Sequence, residues 1–224
     1  MSRHLLRAIN KLKKMILDLS ALVEKDVHRS VKALVSRDSA MAQRVIQSDE
    51  KIDEMEVDIE EECLKILALH QPLASDLRYI VSVLKINNDL ERIGDLAVNI
   101  AETAQFLLTQ KKIDPPFDFS GMAERVKDML RKGLDALVKL NVLRAKNVIK
   151  ADEAVDEMHR STYQIVKSRI SEDPENADSY IYFMSVSRYL ERIADLVTNI
   201  AEDVIYMVDG EIVRHSHDEF GNNG

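Results

Sequence analysis

The sequence has no tryptophan, a single cysteine, four prolines and six glycines. It also lacks any apolar run near the roughly twenty residues that a bilayer-spanning helix needs. One cysteine excludes a disulfide framework and fits a reducing cytosol. That residue, Cys63, sits inside a helical pattern and is expected to be a buried, inert thiol. Few breakers and almost no strand signal exclude a turn-rich β architecture. Lys11, Lys13 and Lys14 interrupt any signal-peptide core near the N-terminus. Excess positive charge is missing as well. The net charge is -8 and no face interleaves Lys or Arg with aromatics, so nucleic acid is not an expected partner. Metal cations and basic protein surfaces are.

What is present is 46% hydrophobic and 31% charged, the usage of long helices with charged outer faces. The most informative feature is a repeat. The segment Leu90-Glu91-Arg92-Ile93-Gly94-Asp95-Leu96-Ala97-Val98-Asn99-Ile100-Ala101-Glu102 returns one hundred residues later as Leu190-Glu191-Arg192-Ile193-Ala194-Asp195-Leu196-Val197-Thr198-Asn199-Ile200-Ala201-Glu202. A second cassette, Asp49-Glu50-Lys51-Ile52-Asp53-Glu54-Met55, returns as Asp152-Glu153-Ala154-Val155-Asp156-Glu157-Met158. Self-similarity at a long fixed spacing predicts one structural unit used twice.

Breakers and caps divide each unit into three helices. The first three are predicted over about Leu5–Val35, Ser39–Leu69 and, after Ser75-Asp76 as N-cap candidates, to about Gln110. The turn Arg37-Asp38-Ser39 and Pro72 separate them. After the Pro115-Pro116 linker the pattern resumes over about Met122–Leu140, Ala145–Ser171 and Asp178–Val208, with Pro174 in the place of Pro72 and Gly210 as the stop. Short loops make consecutive helices antiparallel neighbours. The expected fold is therefore all-α: two tandem pseudo-symmetric three-helix bundles, spanning 1–113 and 118–215, lying side by side. A disordered tail is expected over 216–224, and His215 and His217 show no pattern of a site. The basic start, Arg3 to Lys14, alternates with Leu5, Ile9, Leu12, Ile16 and Leu19. It reads as an ordinary first helix with a solvated basic edge rather than one lying on an anionic membrane, because acids follow at once.

At about 100° per residue, Glu91, Asp95, Asn99 and Glu102 share one stripe, opposite Leu90, Ile93, Ala97 and Ile100. The pairs Asp49/Asp53, Glu91/Asp95, Asp152/Asp156 and Glu191/Asp195 each stand one turn apart. Like charges at that spacing destabilise a helix unless something neutralises them. If the middle and third helices align these pairs, four carboxylates converge in each half, extended by Asn99, Glu102, Asn199 and Glu202. Clustered carboxylate oxygens suit Mg²⁺, Ca²⁺, Mn²⁺ or iron. Outward acids are ordinarily a solvated face. Here, however, nine of the twelve positions from Glu91 to Glu102 are identical in the second copy, acids included, and packing accounts for the aliphatics only. His159, one turn after Asp156, offers a nitrogen ligand in the second half, where the first half has Glu56. Arg92 and Arg192 brace neighbouring acids.

Catalysis finds little support. A ferritin-like di-iron site needs Glu-x-x-His motifs inside the core, whereas these acids face away from the aliphatic stripe and only one Asp-x-x-His occurs. There is no Gly-rich phosphate loop and no nucleophile with a base at motif spacing. Two other readings stand beside metal binding: a metal-independent helical adaptor that docks through its acidic faces, and, third, a carboxylate-bridged di-metal enzyme.

Together with Gln71-Pro72-Leu73-Ala74-Ser75-Asp76-Leu77-Arg78 and Gly210-Glu211-Ile212-Val213-Arg214-His215, the two motif copies resemble the PhoU family, accessory regulators of bacterial high-affinity phosphate transport. The resemblance runs over essentially the whole chain. It implies two three-helix bundles, an E/D-x-x-x-D metal site on each, and no catalytic activity. The motif falls on Glu91/Asp95 and Glu191/Asp195, with Asp49, Asp53, Asp152 and Asp156 as facing acids. The ions would be divalent or trivalent, with iron, zinc, magnesium and manganese the candidates. Many members have His directly after the motif Asp, where this chain has Leu96 and Leu196. The resemblance further implies a cytoplasmic homodimer that reaches the membrane through its partners. Those partners are the ATPase subunit of a phosphate ABC transporter and a phosphate sensor histidine kinase, and the role is negative regulation of the phosphate-starvation response.

Overall fold

Leu5, Ile9, Leu12, Ile16, Leu19, Val23 and Val27 recur every three or four residues and form the buried face of α1 (Arg3–Ser36), while Arg3, Arg7, Lys11, Lys13 and Lys14 stay exposed. The computed structural model describes residues 3–211. The expected tail over 216–224, His215, His217 and the end of the Gly210-to-His215 element lie outside the described residues.

The turn after α1 puts Arg37 in the left-handed region at φ 52°, and the Asp38 side chain then accepts from Met41 N to cap α2 (Ser39–His70). The Arg37 guanidinium donates to the carbonyls of Leu108 and Gln110, each at 3.2 Å, and so places a cation at the C-terminal end of α3 (Ser75–Thr109). Gln71, left-handed at φ 44°, ends α2 before Pro72. Ser75 and Asp76 do not cap α3 as the sequence suggested. The chain arrives through Ala74 at φ 50°, which is the N-cap without a side-chain bond, and Asp76 instead faces the positive end of the helix dipole from the first turn.

In the second half, α4 (Phe119–Lys139) and α5 (Val142–Glu172) begin three residues earlier than their hydrophobic periods suggest. Asp118 accepts from Gly121 N and Asn141 from Arg144 N, each at 2.9 Å, and each cap admits an apolar residue into the first turn. Pro174 opens a short 3₁₀ turn, Pro174–Asn176, ahead of α6 (Ala177–Asp209), which Gly210 closes at φ 76°. Among the described residues there is no strand, and no helix is long and apolar enough to cross a membrane.

Within each half the three helices pack on one another, and the halves join mainly through α3 and α6. That seam is antiparallel: Gly210 lies against the Arg78 guanidinium, Lys85 pairs with Asp203 at 3.4 Å, and the rings of Phe106 and Tyr182 stack at 3.8 Å. An antiparallel crossing of equivalent helices is what a twofold axis perpendicular to both of them produces. The buried aliphatics of both halves form one continuous core. Cys63 is fully buried in it, and burial pushes its thiol up to about 12, so it is not a nucleophile at neutral pH.

A small compensation sits at the centre of each half. A Cβ at Gly94 would meet Ile52 Cδ1 at 3.0 Å, whereas the second half has Ala194 and Val155 at the equivalent buried positions. Gly94→Ala alone gains about 1 kcal/mol of helix propensity but crowds Ile52, and Ile52→Val alone loses roughly 0.5–1.5 kcal/mol. The double change should be more stable than the two effects added, by on the order of 1 kcal/mol. A urea double-mutant cycle with no coupling would remove this account of the glycine.

Candidate metal centre

The acidic cassettes meet in the seam between the middle and third helix of each half. In the first half Asp49 and Asp53 of α2 approach Glu91 and Asp95 of α3. In the second, Asp152 and Asp156 of α5 approach Glu191 and Asp195 of α6. These are not the fully outward stripes that the helical period alone draws. Asp49, Glu91, Asp152, Asp156 and Glu191 are half-buried while Asp53, Asp95 and Asp195 are exposed, because the neighbouring helix covers one edge of each stripe.

Carboxylate oxygens of Asp152, Asp156 and Asp195 all lie within 4.8 Å of one another, and among the described residues no other trio of potential ligands meets that spacing. Crowding is legible in the electrostatics. Burial, followed by the charges of Asp195, Asp156 and Glu191, pushes Asp152 up to about 7. Burial and then Asp95, Asp53, Glu56 and Asp49 push Glu91 up to about 7. Asp49, Asp95, Glu191 and Asp195 are raised too, again mainly by burial and then by neighbouring acids. Arg92 and Arg192 pull Asp95 and Asp195 the other way without forming an ion pair.

Two buried oxygens, Asp49 Oδ1 and Asp152 Oδ1, have no well-formed hydrogen bond, although the Thr198 hydroxyl stands near Asp152 and pulls its pKa back down against the burial and the neighbouring acids. They occupy the same place in the two cassettes. A buried, unsatisfied carboxylate oxygen among other carboxylates is costly, and a hard or borderline cation is the species that satisfies it. The donor set of the second seam therefore fits a metal ion, and the first seam offers the equivalent acids with the same orphaned oxygen but without three of them at that spacing.

The remaining expected ligands divide. Glu102 is exposed and its charge reaches Asp49. Glu202 is half-buried. Asn99 and Asn199 stand instead in a groove of about 350 Å³ between α3 and α6, with Arg92, Asp95, Leu96, Arg192, Asp195 and Leu196, so Asp95 and Asp195 link both seams to one face. His159 engages Ser187 Oγ at 2.9 Å through Nδ1, and burial lowers its pKa, which favours the neutral ring that a metal requires. Its other ring nitrogen makes no hydrogen bond among the described residues.

The sequence reading missed Asp26. This α1 residue is 1% exposed and accepts a hydrogen bond from the hydroxyl of Ser48, next to Asp49. The available signal was a charged residue on the buried stripe of Val23, Val27, Ser30 and Val31.

Residues 16–104 and 119–204 each match the sequence profile described as a PhoU domain. The chain is 37% identical over 213 residues to the phosphate-specific transport system accessory protein PhoU homolog of Aquifex aeolicus, covering 95% of this chain and 96% of that one. It is 36% identical over 199 residues to the homolog of Clostridium acetobutylicum, covering 88% and 91%. The crystal structure of PhoU from Pseudomonas aeruginosa superposes with a TM-score of 0.89 at 36% identity, covering 92% of this chain and 99% of that chain. The phosphate transport system regulatory protein PhoU from Streptococcus pneumoniae gives 0.79 at 29%, covering 91% and 96%.

Proposed function

The chain belongs to the PhoU family, and from that premise we propose that it is a metal-binding accessory protein of a phosphate-specific transport system. In this role it restrains the phosphate-starvation response and holds down uptake by linking the ATPase subunit of the transporter to the sensor histidine kinase. It works in the cytoplasm, meets the membrane through those partners, and acts as a regulator rather than an enzyme. The resemblance extends the reading to a homodimer.

One observation carries the metal part: equivalent half-buried aspartates, Asp49 and Asp152, each with an unsatisfied buried oxygen among carboxylates raised by their own crowding. Glu91, Asp95, Glu191, Asp195, Asp53 and Asp156 complete the two donor sets. The second donor set adds His159 as a nitrogen donor, which suits zinc, iron or manganese beside magnesium.

Deleting the gene should leave phosphate-starvation genes switched on in phosphate-rich medium; unchanged reporter output would overturn the regulatory reading. Protein purified without chelator should carry metal, and Asp95→Asn with Asp195→Asn, which keeps shape and removes two charges, should lose most of it with helix content intact. Equal metal content in wild type and double variant would hand first place to the metal-free adaptor, whose acidic faces dock a basic partner.

A further inference from the structure

The second half of the chain shows what this fold requires at each position of the first. The turns at Arg37-Asp38 and Leu140-Asn141 share a left-handed residue, φ 52° and 48°, followed by a side-chain N-cap. They therefore fix the correspondence of α1 with α4 at the same offset that relates Asp49 to Asp152. With that register, the buried positions coincide pair by pair from Leu19 and Met122 to Leu34 and Leu137. A single pair sets a charge against an apolar side chain. Asp26, 1% exposed, stands where the second half has Met129, 2% exposed.

An acid at that position opposes folding, and the fold manages without it, since a methionine fills the same place. Asp26 is held all the same. Ser48 donates to its Oδ2, Arg29 stands 3.6 Å from Oδ1, and Oδ1 makes no hydrogen bond. Besides Arg29, the charged groups that face it are Lys25 on its own helix and Asp49 across the seam on α2. The two seams also differ at the surface: the second gathers three carboxylates within 4.8 Å, and the first has no such trio among the described residues.

We propose that Asp26 is a positioning residue of the first acidic site: through Ser48 it fixes the turn of α2 that carries Asp49, and it sets a negative charge beneath that site which strengthens binding of a hard divalent cation such as Mg²⁺ or Mn²⁺. The charge from below supplies what the first seam lacks at its surface. This inference rests on the metal-binding reading above.

The test uses the full chain with the second site disabled by Asp152→Asn and Asp195→Asn, titrated with Mn²⁺ and read as free Mn²⁺ by electron paramagnetic resonance. Adding Asp26→Met, the residue the other half uses, should raise the dissociation constant roughly tenfold, the scale of one unit charge at short range in a partly solvated site. The same change should raise the melting temperature of the cation-free protein, because a buried acid is gone. A merely structural aspartate would lower that temperature. Ser48→Ala, which cuts the tether and leaves the charge, should weaken binding by a few fold and serves if the methionine variant does not fold. An unchanged dissociation constant in both variants overturns the proposal. So does absence of Mn²⁺ binding in the second-site-disabled chain when the wild type binds it, an outcome that leaves the metal reading standing for the second site. A wild type that binds no Mn²⁺, Mg²⁺, Zn²⁺ or iron overturns the metal reading and this inference together.

Discussion

Ile93→Asp is expected to unfold all six helices in one transition rather than the first three alone. Ile93 is fully buried on α3, the helix that packs on α1 and α2 and also forms the main contact with the other half through α6. A carboxylate there has no partner, and burying it costs several kcal/mol, a large part of the roughly 5–15 kcal/mol of a typical domain. The repeat alone suggests that the injured half fails first. The continuous core and the antiparallel α3–α6 seam argue for joint loss, because α6 without α3 exposes a second apolar face. Hydrogen exchange on the variant should show protection falling together in α1–α3 and α4–α6. Protection that persists in α4–α6 would establish independent bundles.

The second large effect concerns cations and pH. Glu91 and Asp152 stand at about 7 in the folded chain, against ordinary values of 4.5 and 3.8. Between those limits the folded state holds more protons than the unfolded one, so raising the pH removes stability. The contribution is present in full below about pH 4 and is lost as pH rises through 7, the reverse of ordinary acid denaturation. Divalent cation should invert that slope, because the ion binds the deprotonated acids of the folded state only. A site at a hundredfold excess over its dissociation constant adds about 2.7 kcal/mol, and two sites about twice that. Melting curves from pH 4.5 to 8, with EDTA and with excess Mn²⁺, should therefore diverge toward high pH. Curves that run parallel would mean that the crowded acids are docking surface and bind no ion.

Most of the architecture was legible because helices are written in periods and breakers. Six apolar stripes, Pro72, Pro174 and Gly210 placed the elements, and the acidic pairs could be located because duplication preserved residues that packing does not need. What escaped has specific causes. The starts of α4 and α5 were read too late because Asp118 and Asn141 admit a residue into the first turn that the period does not count. Ser75 looked like a cap, but the conformation of Ala74 took that role. The α3–α6 crossing was hidden because a repeat states that two helices are alike and not which faces meet. Leu96 and Phe106, apolar residues set off the main aliphatic stripe, were the hint. Asp26 lay outside every repeated motif, on a helix that carried no other sign of chemistry.

The exchange of Gly94 and Ile52 for Ala194 and Val155 has a consequence for how the chain reaches its fold. Two halves with the same helix order and nearly the same motif can pair wrongly during collapse, α2 against α6 or α5 against α3, and such hybrids would bury much the same apolar surface. The first hybrid sets Ile52 against the methyl of Ala194, and the second leaves Val155 facing Gly94 across a gap the size of a methylene. One is overfilled and the other underfilled. A single carbon moved across the seam thus gives the nascent chain a means of telling its two halves apart.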